Sequence, residues 1–288
     1  MAKNVSNKTI DNVTIRFAGD SGDGMQLSGG RFTQTSAVVG NDLSTLPDFP
    51  AEIRAPAGSL AGVSSFQIHF SSQEIHTPGE NPDVLVAMNP AALKVHLKDL
   101  VPGGTLIVNK NAFTKKNLTL AGYEDDPTED GSLVDYYSTH FIEMGKLVTN
   151  ACEGIDIPSK MVDRTKNLCA LGVLFWMYDR PLEPTIDWLN QKFKSKPDII
   201  EANVRALNAG YNYGDTAEIF TTRYIVEKAK LPKGKYRNMN GTLASCLGIL
   251  TAAEKSNLGI TFAGYPITPA SNILHTPVSY THLTLPTK

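Results

Sequence analysis

The hydrophobic positions near the start of the chain predict alternating strands and helices. Val13–Ala18 is an apolar run that predicts a first strand, and Leu27–Gly40 predicts a helix whose first turn is weakened by two adjacent glycines. Residues 45–62 are rich in proline and glycine and predict a structured loop. Val63–Phe70 alternates with the period of a strand, with Phe66, Ile68 and Phe70 on one face and Gln67 and His69 on the other.

A strand–helix–strand unit follows this loop and strand. Val84–Ala87 is a short continuous apolar strand, Asn89 can cap the next helix, and Pro90 suits its first position. Apolar residues recur with helical spacing from 93 to 101, two glycines end the helix, and Thr105–Val108 predicts the returning strand. Strands joined in this way run parallel. The predicted fold class is therefore α/β, with a partly parallel sheet flanked by helices.

The second half of the chain is predominantly helical in its pattern. From Asp163 to Tyr211 the apolar spacing predicts helices that cover the sheet. The apolar run Leu168–Tyr178 is too short to cross a bilayer and predicts a buried helix. Asp198, which follows Pro197, is predicted to cap the last helix of this region.

A basic segment divides the chain. Lys228–Arg237 contains four lysines and one arginine and has little to bury, which predicts a linker between domains. Beyond it, Asn240–Glu254 predicts a helix and Ile260–Ala263 a short strand. We therefore expect a first domain over residues 1–227, a linker over 228–237, and the beginning of a second α/β domain over 238–275.

Composition narrows the class of protein. The 288 residues are 41% hydrophobic and 19% charged, and the net charge of −2 argues against nucleic acid or an anionic membrane as a partner. The polar start predicts no signal peptide. Three cysteines without a CxxC spacing argue against a disulfide framework and against an iron–sulfur or zinc site in this chain. We expect buried thiols and a cytoplasmic protein.

The run FAGDSGDGMQLSGG at 17–30 carries the candidate chemistry. A serine-protease site is not supported, because it would need a histidine oriented by a carboxylate next to the serine. A thiamine GDG motif is not supported, because it would need an asparagine at 47–54 and none is there. The dinucleotide pattern G-x-G-x-x-G is not met either. Gly19, Gly22 and Gly24 remain candidates for holding a phosphate or another polar ligand at a helix N-terminus. The alternative is a tight strand-to-helix turn. Asp20 and Asp23 would oppose an anion unless they cap the helix or point away.

Several stretches together resemble one family. AGDSGDGMQLSGGRFTQTSAVVGND, FPAEIRAPAG, GVSSFQIHFSS and NPDVLVAMNPAAL resemble the gamma-type domain of 2-oxoacid:ferredoxin oxidoreductases. NGTLASCLGILTAAEKSNLGITFAGYPITPAS resembles the start of the pyrimidine-binding domain of the alpha subunit, and GYPITPAS is its most specific part. The order of the two resembles the fused alpha subunit of the 2-oxoglutarate-type enzymes. The resemblance covers residues 12 to about 275.

This resemblance implies oxidative decarboxylation of a 2-oxoacid, 2-oxoglutarate being favoured, on thiamine diphosphate with Mg²⁺. The acyl group passes to coenzyme A and the electrons pass to ferredoxin. The diphosphate and Mg²⁺ would be shared with a separate beta subunit that also carries the iron–sulfur cluster, and no metal ligand is expected on this chain. Thr268 is implied as the catalytic hydrogen-bond donor to the substrate carboxylate or cofactor adduct. The implied cofactor-binding residues are Tyr265, Pro266, Ile267 and Pro269 in the YPITP loop, and Gly19, Gly22, Gly24 and Arg54 towards coenzyme A or a subunit interface.

Two departures from the family pattern lead to further expectations. No carboxylate follows Ser271, so no residue matches the glutamate that the family uses on the thiamine ring, and residues 276–288 read as a non-native tail. We expect a truncated fragment that is inactive alone. Two alternatives stay open: a non-catalytic gamma-type module for subunit assembly or coenzyme A binding, and a stand-alone nucleotide-dependent dehydrogenase.

Overall fold

The computed structural model describes residues 6–50, 52, 55–217, 220–265, 267 and 270–275. The chain divides into two compact units, residues 1–232 and 233–288. The boundary between the units falls inside the segment 228–237 that the sequence predicts as a linker.

The first unit is built on a mixed β-sheet. Its strands are β1 Ser6–Thr9, β2 Asn12–Asp20, β3 Asp42–Asp48, β4 Val63–Ser71, β5 Val84–Ala87, β6 Thr105–Asn109, β7 Ser138–Ile142 and β8 Thr222–Ile225. Six of them form one sheet in the order β3-β4-β2-β5-β6-β7. The run from β2 through β5 and β6 to β7 is parallel, whereas β4 pairs antiparallel with both β2 and β3. The predicted α/β class with a partly parallel sheet is confirmed.

Helices cover both faces of this sheet. They are α1 Met25–Val39, α2 Pro90–His96, α3 Lys115–Leu120, α4 Ser132–Tyr136, α5 Met144–Ala151, α6 Ser159–Arg164, α7 Lys166–Met177, α8 Glu183–Lys192 and α9 Pro197–Thr216. Because side chains alternate along a strand, Ile15 and Phe17 of β2 enter a core with α1 and α7, while Ala18 enters the opposite core with α2. β2 therefore lies between two hydrophobic layers.

Glycines allow α7 and α9 to approach each other closely. A Cβ atom on Gly172 would lie 2.1 Å from the carbonyl oxygen of Leu207, and one on Gly210 would lie 1.9 Å from that of Cys169. Such distances are far inside van der Waals contact, so the two backbones touch directly. All three cysteines are buried free thiols, which confirms their prediction as core residues.

The two ends of the first unit pair with each other. β1 and β8 form a separate two-stranded parallel sheet in which Ser6 lies opposite Thr222. The chain after β8 continues along the unit, where the Ala229 amide donates to the Gly40 carbonyl oxygen at 2.9 Å. The first residues of the predicted linker are therefore packed against the first unit.

The second unit begins with helix α10, Gly241–Ser256. The Asn240 side chain caps it by accepting a hydrogen bond from the Leu243 amide at 2.9 Å, and Asn257 ends it in a left-handed conformation with φ 55°. The predicted helix over 240–254 is confirmed. The predicted strand Ile260–Ala263 is wrong: this segment is irregular, and the described part of the second unit contains no strand with which it could pair.

The central strand–helix–strand unit is confirmed. Asn89 accepts a hydrogen bond from the Ala92 amide at 2.8 Å, Pro90 occupies the first position of α2, and β5 and β6 are parallel. The predicted apolar stripe continues past α2 into a 3-10 turn at Leu97–Asp99. In the described part of the chain, no helix is both long and apolar enough to cross a bilayer.

Three local expectations need correction. Residues 45–62 are not loop throughout, because β3 extends to Asp48; as an edge strand it tolerates Pro47. α1 begins at Met25, so its paired glycines lie in the second turn rather than the first. Asp198 does not cap α9: Lys196 is the N-cap, and Asp198 lies in the first turn near the positive end of the helix dipole.

Candidate functional site

A crevice opens where β2 and β5 end. The two strands are parallel neighbours, but the chain leaves β2 towards β3 and β4 on one side and leaves β5 towards β6 and β7 on the other. α1 and α2, which follow these strands, contribute to the cores on opposite faces of the sheet. In open α/β sheets the carboxyl ends of the strands at such a change of direction form the usual ligand crevice.

The glycine run forms the turn at this crevice. The Asp23 amide donates to the Asp20 carbonyl oxygen at 2.9 Å, and the Asp20 amide donates to Asp23 Oδ2 at 2.9 Å, so the two aspartates close the turn between them. A Cβ atom on Gly19 would lie 2.9 Å from Asp23 Oδ2. Gly19 is therefore required by the tightness of the turn.

Gly24 and Gly22 serve different purposes in this turn. Gly24 is the N-cap of α1 with φ 79°, and a Cβ atom there would lie 2.3 Å from Asn167 Nδ2. A Cβ atom on Gly22 would meet nothing within 4 Å, because Gly22 faces open space. No described side chain caps α1, and its first turn contains no acidic residue, so its N-terminus favours an anion.

The crevice continues into a polar cleft with a volume of about 360 Å³. One wall is the glycine turn with the loop around Ala55 and Gly62, and the other is α6 with the start of α7. These two helices bring in cationic, amide and carboxylate side chains: Lys160, Asp163, Arg164, Lys166 and Asn167. Lys166 pairs with Asp163 at 2.7 Å, which leaves the charges of Lys160 and Arg164 for other partners.

Both carboxyl groups of the turn are half-buried. Burial raises the pKa of the Asp20 carboxyl above its ordinary value, although a hydrogen bond from the Gly58 amide at 2.8 Å to Oδ2 works in the other direction. Burial likewise raises the pKa of Asp23. Neither side chain caps α1, and both accept hydrogen bonds from backbone amides elsewhere. The two carboxylates therefore fix the turn and the neighbouring loop.

A second cavity, of about 300 Å³, adjoins the cleft. Its walls are largely apolar and come from the segment around Ile157, α6, α7, α8 and the beginning of α9. Gly22, Arg164 and Asn167 line both the cavity and the cleft. Polar and apolar spaces therefore meet at the glycine turn.

The structure brings part of the predicted site together. Gly19, Gly22 and Gly24 lie in one turn beside the cleft, whereas Arg54, Thr268, Pro266 and Pro269 lie outside the described residues. In the second unit the Tyr265 side chain is 78% exposed and Ile267 is 37% exposed. Sequence reasoning missed the cationic wall, since Lys160 and Arg164 lie more than 130 positions from the turn. The only local signal was the cluster SKMVDRTK just before the apolar helix.

The family model described as pyruvate ferredoxin/flavodoxin oxidoreductase matches residues 14–213, from β2 to α9. The chain belongs to this family. The resemblance seen in the sequence is thereby confirmed at the level of the family, which consists of oxidoreductases.

Two relatives illustrate the similarity of this chain to other members of the family. The 2-oxoglutarate oxidoreductase subunit KorA of Mycobacterium tuberculosis is 54% identical over 266 residues, which is 92% of this chain and 41% of that subunit. The 2-oxoglutarate synthase subunit KorC of Methanothermobacter marburgensis is 37% identical over 107 residues, 36% of this chain and 54% of that one. The chain therefore spans about two fifths of the length of its KorA relative.

A solved structure shares the fold of this chain. It is the 2-oxoglutarate:ferredoxin oxidoreductase of Magnetococcus marinus with 2-oxoglutarate, coenzyme A and succinyl-CoA bound. The TM-score is 0.69 at 23% identity, with 94% of this chain and 41% of that chain covered.

Proposed function

We propose that the chain is part of the alpha subunit of a 2-oxoglutarate:ferredoxin oxidoreductase. The single observation that carries this proposal is the 54% identity to a KorA subunit across 92% of the chain. The enzyme would convert 2-oxoglutarate, coenzyme A and two oxidised ferredoxins into succinyl-CoA, CO₂, a proton and two reduced ferredoxins. Residues 1–227 would be its gamma-type domain, and 238–275 would begin the pyrimidine-binding domain.

The cleft beside the glycine turn is proposed as the coenzyme A site. Its chemistry suits a diphosphate: Lys160 and Arg164 supply positive charge, and the uncapped N-terminus of α1 adds a partial positive charge. Gly22, which has open space in front of it, allows phosphate oxygens to approach the backbone. One oxygen of the Asp20 carboxylate accepts from the Gly58 amide and one of the Asp23 carboxylate accepts from the Asp20 amide, which engages both side chains within the turn and the neighbouring loop.

The chain would share its other cofactors with a partner beta subunit. Thiamine diphosphate, held with Mg²⁺ mainly by that subunit, supplies the electron sink for decarboxylation. The exposed rings and methyl groups of Tyr265 and Ile267 suit an apolar face of such a cofactor. In the ranges that the structure describes, no group of three histidine, cysteine or acidic side chains could hold a metal. The iron–sulfur cluster is assigned to the partner, and ferredoxin is the acceptor.

The activity is tested with the protein assembled with its beta subunit. We expect reduction of methyl viologen that requires both 2-oxoglutarate and coenzyme A, and we expect none from the 288-residue chain alone. Loss of dependence on 2-oxoglutarate, or full activity without the partner, contradicts the proposal. Assembly with the partner without any turnover would instead support the non-catalytic module, and NADH-dependent turnover would support the dehydrogenase.

The site is tested by calorimetric titration of the same assembly with coenzyme A. Arg164→Ala removes a charge-assisted contact, so we expect the Kd to rise roughly 10- to 100-fold. The matched control is Lys98→Ala, which removes an exposed charge near the amino ends of the strands, away from the cleft. Equal effects of the two substitutions would show that only general electrostatic attraction is lost.

A further inference from the structure

The outer edge of β7 has unpaired backbone groups. β7 is the last strand of the six-stranded sheet, and within the described part of the chain it pairs with β6 alone. The Ser138 amide donates to the Gly104 carbonyl oxygen at 2.9 Å, so Ser138 and every second residue after it direct their backbone groups to β6. The amides and carbonyls of Thr139 and Phe141 therefore point outward, and no described group bonds to them.

The opposite edge of the sheet is protected against further pairing. That edge is β3, which contains Asp42, Pro47 and Asp48. Charged side chains and proline are the usual means by which an edge strand avoids pairing with another chain. β7 contains no proline, lysine or carboxylate. Its edge is therefore open to the addition of a further strand.

Exposed apolar side chains lie beside the first residues of β7. On α4, Val134 is 57% exposed and Tyr136 is 72% exposed. The Thr139 hydroxyl donates to the Leu133 carbonyl oxygen at 2.8 Å, which fixes α4 beside β7. Tyrosine is enriched in the contact surfaces of proteins, so Tyr136 is suited to contact a strand added at this edge.

The surroundings of the β7 edge are acidic. Residues 121–145, here called the acidic segment, contain seven carboxylates and neither lysine nor arginine. The Lys110 ammonium binds Asp126 and Glu129 and lies 5.9 Å from the centroid of the Phe141 ring, which places the acidic segment beside β7. Four exposed carboxylates of this segment have no cationic partner among the described residues: Glu124, Asp125, Asp130 and Asp135.

We propose that the β7 edge binds an extended segment of a partner protein that is rich in lysine and arginine. The segment adds to the six-stranded sheet as a further strand and pairs with the outward groups of Thr139 and Phe141. Its cations face the acidic segment, and an apolar side chain contacts Tyr136. A second copy of this chain fits poorly, because pairing β7 with β7 would bring two acidic segments together. The inference does not depend on the proposed function.

The test is the binding of a fluorescein-labelled peptide, in which valine alternates with lysine, to the full chain, followed by fluorescence anisotropy. Thr139→Pro removes an outward amide, which an edge strand tolerates. Thr139→Val is the matched control, since both variants lose the hydroxyl bond to Leu133 and only T139P loses the amide. We expect T139P to raise the Kd roughly 10-fold and T139V to resemble the wild type.

Two further peptides separate backbone pairing from attraction between charges. We expect no binding of the same peptide with all its backbone amides methylated, and none of a peptide with glutamate in place of lysine. Equal binding of the methylated and unmethylated peptides would show that charge alone is recognised and would overturn the inference. A wild-type dimer in light scattering that is lost in T139P would also overturn it, because a second copy would then occupy the edge.

Hydrogen exchange of the wild type provides a measurement that does not depend on the folding of T139P. We expect the unmethylated peptide to slow exchange of the Thr139 and Phe141 amides, because both become hydrogen-bonded. The methylated peptide should leave their exchange unchanged. If the unmethylated peptide binds without slowing exchange at these two amides, it binds elsewhere and the inference is wrong.

Discussion

Two neighbouring glycines of α1 allow the packing of this helix against the sheet to be measured. A Cβ atom on Gly29 would lie 2.1 Å from Cδ1 and 2.8 Å from Cβ of Phe66 on β4, whereas a Cβ atom on Gly30 would meet nothing within 4 Å. Alanine at the two positions therefore differs only in what the new methyl group touches. Gly29→Ala is the perturbation and Gly30→Ala is its matched control.

The expected magnitudes follow from two opposing effects. Each alanine gains about 1 kcal/mol of helix propensity over glycine. At position 29 the methyl group also has to displace the Phe66 ring, and overpacking of this kind costs about 1–3 kcal/mol. We therefore expect G30A to be stabilised by about 1 kcal/mol and G29A to lie about 1–3 kcal/mol below it. For a unit of this size the gap corresponds to about 2–12 °C in Tm.

The assay is urea and thermal unfolding of the chain followed by far-UV circular dichroism. Equal m-values for the two variants would confirm that the same structure unfolds in each. The affinity for coenzyme A should also be lower in G29A, since a shift of α1 moves its N-terminus at the cleft. A G29A protein as stable as G30A would refute the reasoning, because it would mean that the helix does not rest on Phe66.

Three further predictions concern groups outside the cleft. Burial lowers the pKa of His96 and of His140, so on acidification from pH 7 the unfolded chain binds more protons than the folded chain. The free energy of unfolding should therefore fall as the pH falls. In urea titrations at several pH values, H96Q should reduce this dependence of the free energy of unfolding on pH. Burial raises the pKa of Cys169 to about 12, so peptide mass spectrometry should find it alkylated by iodoacetamide in urea but not in the folded chain. Asp179 has a left-handed backbone with φ 52°, and its carboxylate accepts a hydrogen bond from Arg223 at 2.8 Å. Both D179A and D179G lose this hydrogen bond, but only glycine relieves the backbone strain, so thermal unfolding should show D179A to be about 1 kcal/mol less stable than D179G.

Features fixed by neighbouring residues could be predicted from the sequence. The Asn89 cap and Pro90 of α2 depend on four consecutive residues, and both were found as predicted. The turn at Gly19–Gly24 likewise follows from one dense run of glycines. Such signals need no knowledge of what packs against the segment.

Features that depend on distant partners could not be predicted. β7 escaped notice because its exposed edge gives Ser138–Ile142 only one buried residue and no clear alternation. β1 and β8 are short, polar strands that become strands only by pairing with each other across more than 200 positions. The cationic wall of the cleft depends in the same way on α6 lying beside the glycine turn, which no local pattern encodes.

The pairing of β1 with β8 has a consequence for gene architecture. Because β1 and β8 pair with each other, the first and the last strand of the first unit lie side by side. A block with adjacent ends can be joined to a longer polypeptide, or separated from it, without rearranging its interior. The same geometry suits both a domain fused within a long subunit and a free-standing polypeptide, so fusion and fission of genes could exchange one arrangement for the other at little structural cost.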